Sequence, residues 1–423
     1  MPPVGQLAVA PLRRDVVDLG DALVMPVLTG AVFIFCCHLW RLGDINITFS
    51  DTLFVAVLAL EVSLARLNGM PFGALTPIWI ASLALMLGGL FLGSIVNGDP
   101  LRWLIVAAQY LFSFLLLPMM LIRNERMLER LVLAIIAGVV AMESVGIAAY
   151  CILSGFKQAN ALFGPDFITG GRRLGSFVGD ANWNSAVIAM TLPFVFYAAR
   201  RKLLGSLPAL VAASILLWAL MLAASFTGFS AAVLAGGIVM VVGGVRPSPK
   251  MIAAVCLGLT LLIASGYQLP AIFEKRVAPA LQTGNIDDAG TYQDRAALIV
   301  EAWGKAKDTV IVGMGVDQYR KFSAFQQPVH NMYMLELVEG GAPALTGWLG
   351  LVAILIAIPI RRIRERRLEA ALCLAVTAVF LTFSMASPHM YARLWTVPLL
   401  VSLGLVVVPG LRSDATLGSR NTP

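Results

Sequence analysis

Apolar runs of about 20 residues, the length an α-helix needs to cross roughly 30 Å of hydrocarbon, recur along nearly the whole chain. About twelve can be placed, near residues 22–40, 50–66, 74–96, 102–122, 131–154, 183–199, 207–226, 228–245, 251–269, 342–360, 368–387 and 393–410. Only 13% of the 423 residues are charged and the mean hydropathy is +0.83, against roughly 25% charged residues in soluble domains. A soluble globular fold is excluded. The chain reads as an all-α polytopic membrane protein, one integral membrane domain over residues 1–423, with the first run retained as a span.

The net charge of +7 reflects topology rather than a polyanion-binding surface, because the charges sit mainly between apolar runs. Arg123, Arg126, Arg130, Arg200, Arg201, Lys202, Arg361, Arg362, Arg364, Arg366 and Arg367 all fall on one side of a twelve-span map. By the positive-inside rule that side, with both termini, is cytosolic. The five cysteines, all within apolar segments, have no metal-ligand or redox spacing, and the three histidines are too far apart for a structural zinc. No metal and no cofactor is expected.

Two outer segments break the rhythm of short connections: residues 155–182, and a longer one over about 270–341, between the ninth and tenth spans. Both carry aromatic residues, among them Phe163, Phe167, Phe177, Tyr292, Trp303 and Tyr319. Thr291 and Asp294 resemble a capping box and predict a helix near 294–307, with Arg295 in its first turns and Lys305 and Lys307 at its end.

His330 closes the long outer segment at the membrane edge. A neutral imidazole there suits general-base work near neutral pH, and equally an interfacial hydrogen bond. His38 reads as interfacial, and His389 falls in a short outer loop where it could line the same cavity. Arg172, Arg173 and Arg295 are the outer arginines whose guanidinium forks could meet phosphate oxygens; singly, each reads as solvated loop charge. Glu61 and Glu143 are costly inside a membrane unless partnered. Glu339 precedes Gly340 and Gly341, which suggests a helix end or a close approach.

The segment His330-Asn-Met-Tyr through Glu339-Gly-Gly, preceded by Arg295-Ala-Ala-Leu, Trp303 and Gly313-Met-Gly315, resembles the O-antigen ligase and O-antigen polymerase family of bacterial inner membranes. Arg172-Arg-Leu-Gly-Ser-Phe-Val-Gly-Asp-Ala-Asn182 is similar to that family's outer-loop pattern, and Asn46-Ile-Thr-Phe-Ser-Asp51 also has its look. There are departures. Members often carry Ser-Arg-Gly near the seventh and eighth spans, where this chain has Ser225-Phe-Thr-Gly-Phe-Ser230, and Asp-Pro-Asn is here Asp180-Ala-Asn182.

The resemblance implies a metal-independent, inverting glycosyltransferase of GT-C type, acting in the periplasmic leaflet of the bacterial inner membrane. Its donor would be a glycan on undecaprenyl diphosphate and its acceptor a sugar hydroxyl of lipid A core, or a second lipid-linked glycan if the chain is a polymerase. In that chemistry His330 takes the acceptor proton and Arg172, Arg173 and Arg295 hold the diphosphate. Asn331, Tyr333, Glu339, Asp180 and Asn182 orient the histidine or the sugars. The rival class is a lipid-linked sugar transporter, which would favour repeated halves and midplane polar residues. No repeat is visible, and the polar residues gather on the outer side.

Overall fold

A computed structural model describes residues 10–39, 41, 47–153, 156–169, 171–244, 271–284 and 292–408. Among them the fold is all-helical, with only two isolated β-bridges. Seven helices are long and apolar enough to cross a membrane. They are α3 (Thr76–Asn97), α4 (Pro100–Leu111) continued by α5 (Leu117–Leu121), α6 (Glu125–Ile152), α9 (Ser206–Ala223), α10 (Phe226–Gly243), α15 (Met332–Arg362) and α16 (Arg367–Ser384). The other elements are α1 (Ala10–Phe33), α2 (Phe49–Ser63), α7 (Phe156–Phe163), α8 (Ala181–Arg200), α11 (Ala271–Arg276), α12 (Ala278–Thr283), α13 (Tyr292–Thr309), α14 (Gln318–Phe322) and α17 (Arg393–Val407). The apolar run near 251–269 lies outside the described residues.

Helix starts follow local chemistry. Asp99, Asn124, Asp180, Ser225 and Asn331 each cap a helix by accepting a backbone N–H through the side chain. Helix α8 is the hub: most of its residues are buried, from Asn184 through Tyr197. Helices α9 and α10 turn apolar residues outward, Leu210, Leu217, Val233 and Leu234 among them, as lipid-facing helices do.

The acids inside the bundle have partners. Glu61 pairs with Arg123, and Glu143 accepts from Asn184 Nδ2 at 3.4 Å. Asp51 pairs with Arg393, whose guanidinium also donates to Ser113 Oγ at 2.8 Å and Gln109 Oε1 at 2.6 Å. Ser113 belongs to a π-helical turn, Phe112–Leu116, between α4 and α5. Pro118, four residues on, has no N–H to give the Phe114 carbonyl, which accepts from the Trp79 indole instead.

Residues 332–341, expected as the end of a loop, form the first turns of α15. The helix starts at Met332, kinks at Gly341 (φ 69°, ψ −170°) and resumes. The kink follows from the sequence Gly340-Gly-Ala-Pro343. Pro343 has no N–H for the Glu339 carbonyl, and the Ala342 N–H turns to Val310 O at 2.7 Å. The orphaned carbonyls of Val338 and Glu339 accept instead from Met314 N and Gly315 N, at 2.8 and 2.9 Å. The segment 310–316 is thereby laced to the broken helix, and Asn97 Nδ2 and Ser94 Oγ of α3 bind it from the other side. Helices α3 and α15 approach backbone to backbone: a Cβ on Gly89 would lie 2.6 Å from Ala344 N and from Gly340 O. Small residues at such a crossing are the usual means of close packing between membrane helices.

Candidate functional site

One end of the bundle is an ion-pair belt. Arg201 at the end of α8 bridges Glu125, Glu129 and Glu369, and Arg366 shares Glu125. The opposite end carries the residues expected to do chemistry. There the segment 171–179 dips between α6, α8 and the α9–α10 turn, so that Leu174, Ser176 and Val178 are buried. Leu174 N donates to Leu222 O at 3.0 Å.

Arg173 is held in that fold-back. Its Nε donates to Ala223 O at 2.9 Å and its Nη2 to Asn182 Oδ1 at 2.7 Å, while Ser225 Oγ reaches the same Asn182 oxygen at 3.1 Å. Burial, with Arg276 and Arg295 adding like charge, pushes its guanidinium down to about 10. Arg173 therefore stays charged at neutral pH, with one edge committed to protein. Arg172 goes elsewhere. Its φ of 54° turns it outward, and its guanidinium lies 5.2 Å from the centre of the Tyr150 ring.

Asp180 caps α8, accepting from Asn182 N and Trp183 N, both at 2.8 Å. Its carboxylate lies within electrostatic reach of Arg173, Arg295 and His330. Arg295, in the first turns of α13, is lowered by burial first, with Arg276 adding to the effect. Arg173, Arg276, Arg295, Asp180 and His330 thus share one neighbourhood. Sequence reasoning missed Arg276, which sits in no motif and enters the site only through the fold of α11.

His330 stands at the junction of this cluster and α15. It is half-buried, and burial, then the Arg295 charge, hold its pKa below the ordinary histidine value, against a backbone hydrogen bond at Pro328 and the Asp180 charge. Its Nδ1 is buried and has no hydrogen-bond partner among the described residues. An orphaned buried nitrogen costs on the order of 1–3 kcal/mol. The imidazole is neutral at pH 7 and able to accept a proton.

The neighbouring residues have other duties. Asn331 caps α15, its Oδ1 taking Met334 N at 3.1 Å. Tyr333 is partly buried and packs on the apolar core. Glu339 is buried at the kink, where the backbone amides of Asp317 and Tyr319 face its carboxylate. On the far side of His330 a second group forms. Arg102 Nε donates to Asp317, and His389 Nε2 lies 3.6 Å from Asp317 Oδ1. Burial first, then the charges of Arg102, Arg320 and His330, lower the His389 pKa. Asp317 carried no motif; its backbone is left-handed (φ 58°).

The arrangement can hold an anion against Arg295 and Arg276, with a neutral base beside it. Among the described residues no group of three or more His, Cys, Asp or Glu could hold a metal ion. The chain matches no protein-family model and no curated protein.

Proposed function

We propose that the chain is an O-antigen ligase-type glycosyltransferase of GT-C kind, with twelve spans and both termini on the cytosolic side of a bacterial inner membrane. It moves a glycan from undecaprenyl diphosphate to a sugar hydroxyl of lipid A core in the periplasmic leaflet, a step of lipopolysaccharide assembly. The observation that carries this reading is His330: a neutral imidazole with an unpartnered ring nitrogen, beside Arg295 and Asp180.

In the proposed reaction the acceptor hydroxyl attacks the anomeric carbon while His330 takes its proton. The bond from that carbon to the diphosphate oxygen breaks with inversion. Arg295 and Arg276 stabilise the charge left on the departing diphosphate. Arg173 acts one step back, as a positioning residue that holds Asn182 and the α9–α10 turn. Members of the family that the sequence resembles often carry an arginine in the stretch around Ser225; this chain has none there, and Arg173 reaches that stretch from another segment through Ala223 and Asn182, which also binds Ser225.

Reconstitution tests the proposal. Purified protein in vesicles receives an undecaprenyl-diphosphate-linked glycan and, separately, lipid A core or a second lipid-linked glycan, with product followed by mass. Joining to lipid A core supports the ligase, and joining to the second lipid-linked glycan makes the chain a polymerase. Movement of labelled donor across the bilayer with no product overturns the enzyme reading in favour of a transporter.

A further inference from the structure

At the ion-pair end of the bundle, α1 and the first turns of α6 enclose a cavity of about 640 Å³. Its polar wall holds Arg123, Arg126 and Arg130, its apolar wall Met25 and Pro26, and among the described residues no carboxylate lines it. The neighbouring cavity, about 710 Å³, shares Arg126 but is lined by Glu125 and Glu129 as well, which Arg201 already neutralises. Among the described residues, this contrast leaves the first cavity the one with unbalanced positive charge. Arg123 is committed to Glu61. Arg126 and Arg130 are exposed, one helical turn apart on α6, and no ion pair or hydrogen bond holds either among the described residues.

The facing wall adds a third feature. Pro26 lies inside α1 and has no N–H to give the carbonyl of Ala22, one turn earlier and itself part of the cavity lining. An acceptor is thus left in the same lining as two cations, with Leu23 and Pro26 of α1 exposed.

We propose that this cavity binds the headgroup of an anionic phospholipid whose headgroup carries hydroxyls. The phosphodiester lies in the forks of Arg126 and Arg130, since guanidinium matches paired phosphate oxygens. A headgroup hydroxyl donates to the Ala22 carbonyl, and the acyl chains run along Met25 and Pro26. The apolar wall of Met25 and the exposed Pro26 suits acyl chains and assigns the phosphate to a lipid rather than to a free ion, and basic pockets between membrane helices are a known setting for such headgroups. The site is remote from His330 and does not depend on the reaction proposed above.

The test titrates the purified full chain, in neutral detergent, with phosphatidylglycerol and with phosphatidylcholine, and counts retained lipid by native mass spectrometry. Three proteins are compared: wild type, Arg126→Gln/Arg130→Gln, and a control at the same end of the bundle, Arg361→Gln/Arg364→Gln. Wild type and control should retain phosphatidylglycerol at least tenfold better than the cavity variant, with phosphatidylcholine equal in all three. Arg126→Lys/Arg130→Lys should recover part of the loss, and unchanged melting of the cavity variant shows that it is folded. Equal retention by wild type and cavity variant overturns the proposal. An equal loss in the control assigns binding to the general basic belt and also overturns it. Displacement of the lipid by millimolar inorganic phosphate makes this a free-anion site and rejects the lipid.

Discussion

The Arg393–Asp51 pair ties α17 to α2 and α4, and replacing Arg393 by Met has a cost that follows from its contacts. Both side chains are buried, 4% and 7% exposed. The substitution removes the bonds to Asp51, Ser113, Gln109 and the Tyr391 carbonyl, and leaves a buried carboxylate without its cation. Breaking one side of a buried pair costs about 3–5 kcal/mol. Asp51 keeps the Thr48 N–H at 2.7 Å and the Thr48 hydroxyl at 2.9 Å, so the lower end, about 3 kcal/mol, is expected. Asp51→Asn keeps an oxygen for that cap, and the Asp51→Asn/Arg393→Met double variant should show a favourable coupling of about 2 kcal/mol. Reversible unfolding in mixed micelles, followed by tryptophan fluorescence, measures both. A cost below about 1 kcal/mol for Arg393→Met, or no coupling, would show that the pair does not hold these helices together.

Four further outcomes follow. Transfer rate should rise with pH to a plateau, its acidic limb below the ordinary histidine value of about 6.5, because burial and Arg295 disfavour the protonated ring; Arg295→Gln should move the limb upward and Arg295→Lys should leave it. The same lowered value makes His330 a source of acid lability, with stability lost as pH falls below about 6.5 and the unfolded chain gains the proton. Arg172→Gln should change transfer less than twofold, and Arg173→Gln should reduce it far more; equal effects would contradict the division of roles. Gly341→Ala, at φ 69° and with its Cβ 2.8 Å from Ile311 O, should destabilise by about 1–3 kcal/mol in the same unfolding assay.

Hydropathy located most helices because membrane helices are long and uniformly apolar. The run expected at 74–96 is Thr76–Asn97, and that at 207–226 is Ser206–Ala223. It failed where polarity and backbone disagree. Gly340-Gly341-Ala-Pro343 looks like a helix stop, yet the helix continues through it, because the segment 310–316 supplies donors to the freed carbonyls. That compensation comes from residues about 25 positions away and leaves no local signal.

The same distinction governs the candidate site. His330 was legible from its place before an apolar run, and Arg295 from its place at the start of a helix whose expected cap, Thr291, lies outside the described residues. Arg172 and Arg173 are neighbours in sequence with opposite fates, decided by the left-handed backbone at Arg172 and by the α9–α10 turn that receives Arg173. Arg276 and Asp317 were invisible because electrostatic neighbours across loops share no spacing. Asn331 drew attention as a substrate residue, and its side chain also serves as a helix cap.

The most direct measurement compares wild type with His330→Ala in a single-turnover assay on undecaprenyl-diphosphate-linked glycan and excess lipid A core, with melting temperatures recorded for both. The account predicts that wild type releases undecaprenyl diphosphate and forms the glycosidic product, while the variant, equally folded, forms none. Full product from a folded His330→Ala protein would contradict it.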